Sequence, residues 1–278
     1  MRILFKISLL LIIVGAFLFG AFYIINGGST PGTGDSDVEL IEISYDAIDF
    51  DEIRVVMINK SIQVLPSTSD KIELKYYQSE KNWIEISTEG NILDIENKTE
   101  IFHMFFNWFS WFQNQDFHQF ILYLPLDMIF DLDLSTSNGS INISDLSELG
   151  TLRLRSSNGA IVLGEITQIK SIDAYTSNGL VEFNQLMVQN LAKARTSNGR
   201  IIVEKTTVGE LDVQTSNGAV NVELHGTHSM YRIDMATSNG SKTLNGVKTD
   251  ASIVNPSASL DVRVRTSNGP ISIRFTLD

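Results

Sequence analysis

The stretch DLDLSTSNGSINIS, residues 131–144, decides the fold. Leu132 and Leu134 alternate with acidic residues, Thr136 to Gly139 interrupt, and Ile141 and Ile143 resume the alternation. Period-two alternation describes strands with one buried face, so the segment reads as two short strands meeting at an Asn-Gly corner. Ser-Asn-Gly recurs seven times, with Asn138, Asn158, Asn178, Asn198, Asn217, Asn239 and Asn268 at intervals of 20, 20, 20, 19, 22 and 29 residues. Such a period marks stacked supersecondary units.

Aligned on the asparagine, the column six residues earlier is apolar (Leu132, Leu152, Ile172, Ala192, Leu211, Ile233, Val262), and so is the column four residues earlier. Two residues before the asparagine, every unit carries Thr or Ser. Asn-Gly is also a hairpin signal, so an antiparallel meander or propeller competes with a solenoid. Two features favour parallel, in-register rungs. Identical side chains every turn suit ladders, and by parity the hydroxyls and asparagines are expected inside, where amides bonded along the file would satisfy one another. The glycine is expected to supply the backbone freedom of the corner. The outward column five residues before the asparagine reads Asp133, Arg153, Asp173, Lys193, Asp212, alternating in sign until Asp234 breaks it. The expected fold is therefore all-β: a single-stranded parallel β-solenoid over residues 131–278. Its last unit, from Pro270, is expected to form the protected terminal edge.

Upstream, residues 39–130 alternate less regularly, and Thr88 to Leu93 resembles a degenerate corner. Within them, segment 101–115 (IFHMFFNWFSWFQNQ) places polar residues every three or four positions among Phe105, Phe106, Trp108, Phe109, Trp111 and Phe112. It reads either as a cap on the open end of the solenoid or as an interfacial helix touching the membrane or a partner. At the N-terminus, Arg2 and Lys6 precede the uncharged apolar run Ile7 to Ile25, long enough to span a bilayer. Residues 1–26 are read as a cytoplasmic start and an uncleaved transmembrane anchor, with a signal peptide as the competing reading. Residues 27–38, rich in Gly, Ser and Thr, read as a tether that keeps an extracytoplasmic domain close to the cell membrane.

Composition narrows the function. A net charge of −12 argues against nucleic acid as a partner. The absence of cysteine excludes disulfides, thiolate metal sites and Cys nucleophiles, a usage common in Gram-positive envelopes. His225 and His228 lack a Cys or an evident carboxylate partner, and no nucleotide, hydrolase or calcium motif is present. No catalytic, cofactor or metal residue is expected.

The run from Phe120 to Leu146, followed by repeated TSNG units, resembles the bacterial "putative adhesin" domain family of unknown function over residues 40–278. With the N-terminal anchor, the chain is also similar to the membrane-anchored proteins of the Lia cell-envelope stress operons of Firmicutes. The resemblance implies a right-handed single-stranded β-helix outside the membrane and supplies no catalytic residues. The expected function is a non-catalytic interaction or regulatory module of the envelope stress response. The alternative is an adhesin-like binder of wall glycan or another extracellular ligand, so the partners are the membrane and either an envelope protein or a wall polymer.

Overall fold

Alternating Leu, Ile and Val residues bury one face of each strand and leave the other face wet, and stacking such strands edge to edge closes a core without helices. A computed structural model of the chain describes residues 38–99 and 118–277. The anchor, the tether up to residue 37 and the aromatic residues Phe105, Phe106, Trp108, Phe109, Trp111 and Phe112 lie outside these residues. No helix among the described residues is long and apolar enough to cross a membrane.

The described residues form nine stacked rungs. In stack order these are residues 92–99 with 119–124, 52–66, 131–144, 151–164, 171–184, 191–204, 211–224, 260–275 and 231–244, called rungs 1 to 9. Every neighbouring pair is parallel and in register before and after the corner, as in Leu152↔Leu132 and Ile161↔Ile141. At ~4.8 Å per step the stack is roughly 40 Å long. A third, shorter side returns rungs 3 to 6 each to the next through a left-handed residue, Asp145, Glu165, Gln185 or Lys205, with φ between 47° and 63°. Leu146, Leu149, Ile166, Ile169, Leu186 and Val188 close the core on that side.

Stack order departs from chain order at both ends. Residues 52–66 precede the strands of rung 1 in the chain, yet they lie inside them, against rung 3. Residues 260–275 come last, yet they lie between rung 7 and residues 231–244. Each end of the solenoid is thus closed by a rung that wraps outside the chain's first or last coil. This corrects the expectation that Pro270 begins a terminal edge. The Pro270 carbonyl accepts from Val220 N–H at 3.0 Å, and Ile271 N–H donates to the Ser241 carbonyl on the other side, so the last coil is interior. Lys242, which occupies an apolar column in rung 9, is explained the same way. Rung 9 is outermost, and the Lys242 ammonium reaches the carbonyls of Asp250 and Ala251 in the loop that covers it.

The degenerate corner at Thr88 to Leu93 is instead a hairpin turn. Asn82–Glu89 and Ile92–Thr99 pair antiparallel, and Gly90 sits at φ +61°. At the same end Glu39–Asp46 pairs antiparallel with Lys71–Gln78, which in turn pairs with Gln119–Leu124 of rung 1. The described chain therefore enters the fold at the rung 1 end.

Candidate binding face

The corner explains which polar groups go inside. Strands end at the Thr or Ser position (Thr136, Thr176, Thr196, Thr215), so alternation stops there and does not carry through the bend. The hydroxyls of Thr136, Ser156, Thr176, Thr196, Thr215 and Thr266 are buried. Thr176 Oγ1 donates to the Gly159 carbonyl of the rung below at 2.9 Å and accepts from its own corner's Gly179 N–H at 3.2 Å. Thr196 repeats both bonds with Gly179 and Gly199. Thr136 and Ser156 do the same, so these four hydroxyls each satisfy two backbone groups, and Thr215 and Thr266 also donate to the neighbouring rung, fastening one rung to the next. Thr176→Val should cost ~1–3 kcal/mol by leaving both groups unpaired, whereas Asn178→Ala should cost about 1 kcal/mol or less. Urea unfolding of the two variants checks the contrast.

The glycines have a different role from the one expected. None of the seven Ser-Asn-Gly glycines has a positive φ. A Cβ on Gly159 would collide with the carbonyl of Gly139, and one on Gly179 with that of Gly159. Close approach of stacked corners, not a left-handed turn, demands glycine here. Rung 2 is the exception that tests the rule, because its corner reads Asn59-Lys60 and the sequence of rung 1 places no Asn-Gly beneath it.

The asparagines form a continuous file on the outside of the corner, and all seven are exposed. The expectation of a buried column is corrected for the reason given above. Each amide nitrogen donates to the amide oxygen of the preceding rung: Asn138 to Asn59 and Asn158 to Asn138 at 2.6 Å, Asn178 to Asn158 and Asn198 to Asn178 at 2.8 Å. Beyond these, Asn217 bonds to Asn198 at 2.9 Å, Asn268 to Asn217 and Asn239 to Asn268 at 2.8 Å. The file follows stack order, not chain order, and begins at Asn59. Asn59 escaped sequence reading because lysine follows it, and its only signal was the Ile62/Val64 alternation immediately downstream.

Beside this file run a serine file and two charged columns on the side before the corner. In stack order the outer column reads Asp94, Arg54, Asp133, Arg153, Asp173, Lys193, Asp212, Arg263, Asp234. Sign alternation is unbroken, and the apparent failure at Asp234 disappears because Arg263 lies between it and Asp212. The inner column of rungs 4 to 9 reads Arg155, Tyr175, Arg195, Gln214, Arg265, Ala236. The strongest ion pairs run diagonally between the columns: Arg155 to Asp173 at 2.6 Å, Arg195 to Asp212 at 3.3 Å and Arg265 to Asp234 at 3.0 Å. Hydrogen bonds with Ser177 and Ser197 lower the exposed Tyr175 phenol below its ordinary range.

Lys60 is buried, at 1% exposure, with its ammonium donating to the Tyr77 carbonyl at 2.8 Å. Burial lowers its pKa to about 8, and His118 is lowered by burial and by the Lys60 charge. Between pH 8 and the unfolded lysine value, the unfolded chain holds a proton that the folded chain has lost, so stability rises with pH. A gain of ~1–2 kcal/mol is expected between pH 7.5 and 9.5, before tyrosine ionisation intervenes. Urea unfolding across that range checks it, and Lys60→Met should flatten the rise.

His225 Nδ1 lies 3.0 Å from Thr276 Oγ1, and the His228 ring lies 6.4 Å from that of Phe275. Among the described residues no group of three or more His, Cys, Asp or Glu could hold a metal ion.

The Toastrack DUF4097 family model matches residues 50–240 and again 166–276. The chain belongs to the Toastrack family. No curated protein sequence matches it. Among solved structures, the Toastrack chain is similar to a "putative adhesin" from Bacteroides fragilis, at 15% identity and TM-score 0.47, covering 85% of this chain and 97% of that one. It is also similar to a "putative cell adhesion protein" from Clostridium sporogenes, at 11% identity and TM-score 0.37, covering 86% and 100%. A "putative lipid binding protein" from Parabacteroides distasonis matches at 13% identity and TM-score 0.40, covering 87% and 98%. The two overlapping Toastrack matches reflect the repeat, since residues 166–240 satisfy the model twice.

Proposed function

We propose that this Toastrack protein is a non-catalytic binding module, tethered to the outer face of the cell membrane by residues 1–26 and acting in the envelope stress response. The observation that carries the binding reading is the outward face of rungs 4 to 9. There, asparagine and serine files recur in register beside columns of alternating charge, while the interior of the rungs is filled by buried apolar side chains. An ordered surface over a filled core suits an extended partner better than a small substrate. Of the carboxylate row Asp133, Asp173 and Asp212, which could be imagined as catalytic acids, Asp173 and Asp212 are each engaged by a guanidinium, and Asp133 stacks between Arg54 and Arg153.

Polarity of the fold supports the tethered arrangement. Val38, Thr99 and His118 lie at the rung 1 end of the stack. A tether of a dozen residues reaches roughly 20 Å, so rung 1 would face the bilayer and the charged face would stand away from it. In that arrangement Phe105, Phe106, Trp108, Phe109, Trp111 and Phe112 enter beside the membrane as contact residues. Protease added to intact protoplasts should digest the domain beyond residue 38 while leaving cytoplasmic markers whole. Protection of the C-terminus in intact protoplasts would overturn the location. Crosslinking in intact cells then names the partner class, protein or wall polymer. The charged face favours the second, adhesin-like reading.

A further inference from the structure

The strip formed by the two charged columns on rungs 4 to 9 has a repeat of two rungs, not one. Rungs 4, 6 and 8 each carry two cations: Arg153 with Arg155, Lys193 with Arg195, and Arg263 with Arg265. Rungs 5, 7 and 9 each carry one anion: Asp173, Asp212 and Asp234. Six cations against three anions leave the strip positive on a chain whose net charge is −12. Glu210 and Asp261 border it, and Asp261 is held by Arg232 at 3.3 Å. The interior position of residues 260–275 completes the pattern, since in chain order Asp212 would meet Asp234 and the period would be lost.

Not all of this charge is consumed internally. The inner-column arginines take the aspartates, which fixes their guanidinium planes against the sheet. Arg153 and Lys193 make no ion pair or hydrogen bond among the described residues, whereas Arg263 Nε makes a long ion pair with Asp234, at 3.9 Å and without a hydrogen bond. Alongside lie the serine file (Ser157, Ser177, Ser197, Ser216, Ser267), Tyr175 and the exposed asparagine amides, all hydroxyl or amide groups on a ~4.8 Å ladder.

We propose that this strip is a binding track for a linear wall polymer in which anionic groups alternate with neutral, hydroxyl-bearing units, laid along the stack axis. The proposal rests on the exported binding-module reading and names its ligand class. Cation pairs recur every ~9.6 Å, twice the rung spacing, so they match a sparsely charged chain. The intervening aspartates accept hydrogen bonds from hydroxyls and repel a second anion. A densely charged chain such as nucleic acid, with a phosphate every few ångströms, would set phosphates against those aspartates. The same track would serve phosphodiester and carboxylate polymers, which the test separates.

Purified full-length protein in detergent micelles is titrated with poly(glycerol phosphate), polygalacturonate, dextran and oligothymidylate at low and moderate salt. Binding of at least one of the first two, weakening with salt and exceeding dextran and oligothymidylate, is expected, and the stronger of the two names the anion. Arg153→Gln with Lys193→Gln breaks no internal ion pair, so its unfolding midpoint should stay at the wild-type value while affinity falls roughly 10-fold or more. Failure of both polyanions to bind above dextran, wild-type affinity in the double variant, or preference for oligothymidylate would overturn the proposal. Because the assay uses purified protein, such a failure removes this ligand and leaves cellular location to the protoplast experiment.

Discussion

Ending the chain after residue 259 is expected to detach rung 9 together with rung 8. The deleted coil buries Val262, Val264, Ile271, Ile273 and Phe275, each contributing ~1.5–3 kcal/mol, so roughly 10 kcal/mol of burial goes with it. That is comparable to the whole net stability of an ordinary domain. Rung 9 loses its parallel neighbour on both sides of the corner, and Tyr231 loses the Phe275 ring at 5.6 Å. Restacking of residues 231–244 directly on rung 7 would place Asp234 beside Asp212, a like-charge contact in the sheet. Trypsin should therefore cut the truncated chain rapidly after Arg232 and Lys242, sites that the full chain protects far longer. Equal protection in both chains would mean that residues 260–275 are an ordinary end rung.

The second large effect is at the stacked corners. Gly159→Ala is expected to cost ~3 kcal/mol or more, because the new Cβ meets the Gly139 backbone and neither rung can move without opening the other ladders. Gly164→Ala is the matched control. It lies in the same rung with open space around it and no positive φ, so its effect should stay within ~1 kcal/mol and can be stabilising. Chemical unfolding of both variants, followed by the β-sheet circular dichroism signal, checks the difference. A neutral Gly159→Ala would remove close packing as the reason for Asn-Gly.

These two sites show what side-chain periodicity can and cannot carry. Recurrence of Leu, Thr and Asn at a fixed interval makes each rung legible, because identical neighbours stack well only in register. Periodicity does not say which rung touches which, since any two units with the same apolar columns are compatible. The deciding information lay in the outward charges: Asp234 following Asp212 is a mismatch in chain order, and Arg263 repairs it. Rungs 1 and 2 were obscured for local reasons. Lys60 replaces the corner glycine of rung 2, and in the sequence residues 100–118 separate the two strands of rung 1 with no Ser-Asn-Gly between them. The asparagine file was legible as a file but not as an exposed one, because parity was carried through a bend where the strand has already ended. The basic strip was invisible in chain order, since its period depends on the interior position of the last coil.

Rung order carries both the topology and the proposed track, and the absence of native cysteine allows a direct reading of it. Gln214 and Arg265 are register partners, whereas Ala236 lies one rung further on. Neighbouring positions ~4.8 Å apart can be bridged by a disulfide and positions two rungs apart cannot. Under mild oxidation, Gln214→Cys with Arg265→Cys should crosslink rapidly and Gln214→Cys with Ala236→Cys should not. The reverse outcome would contradict the account.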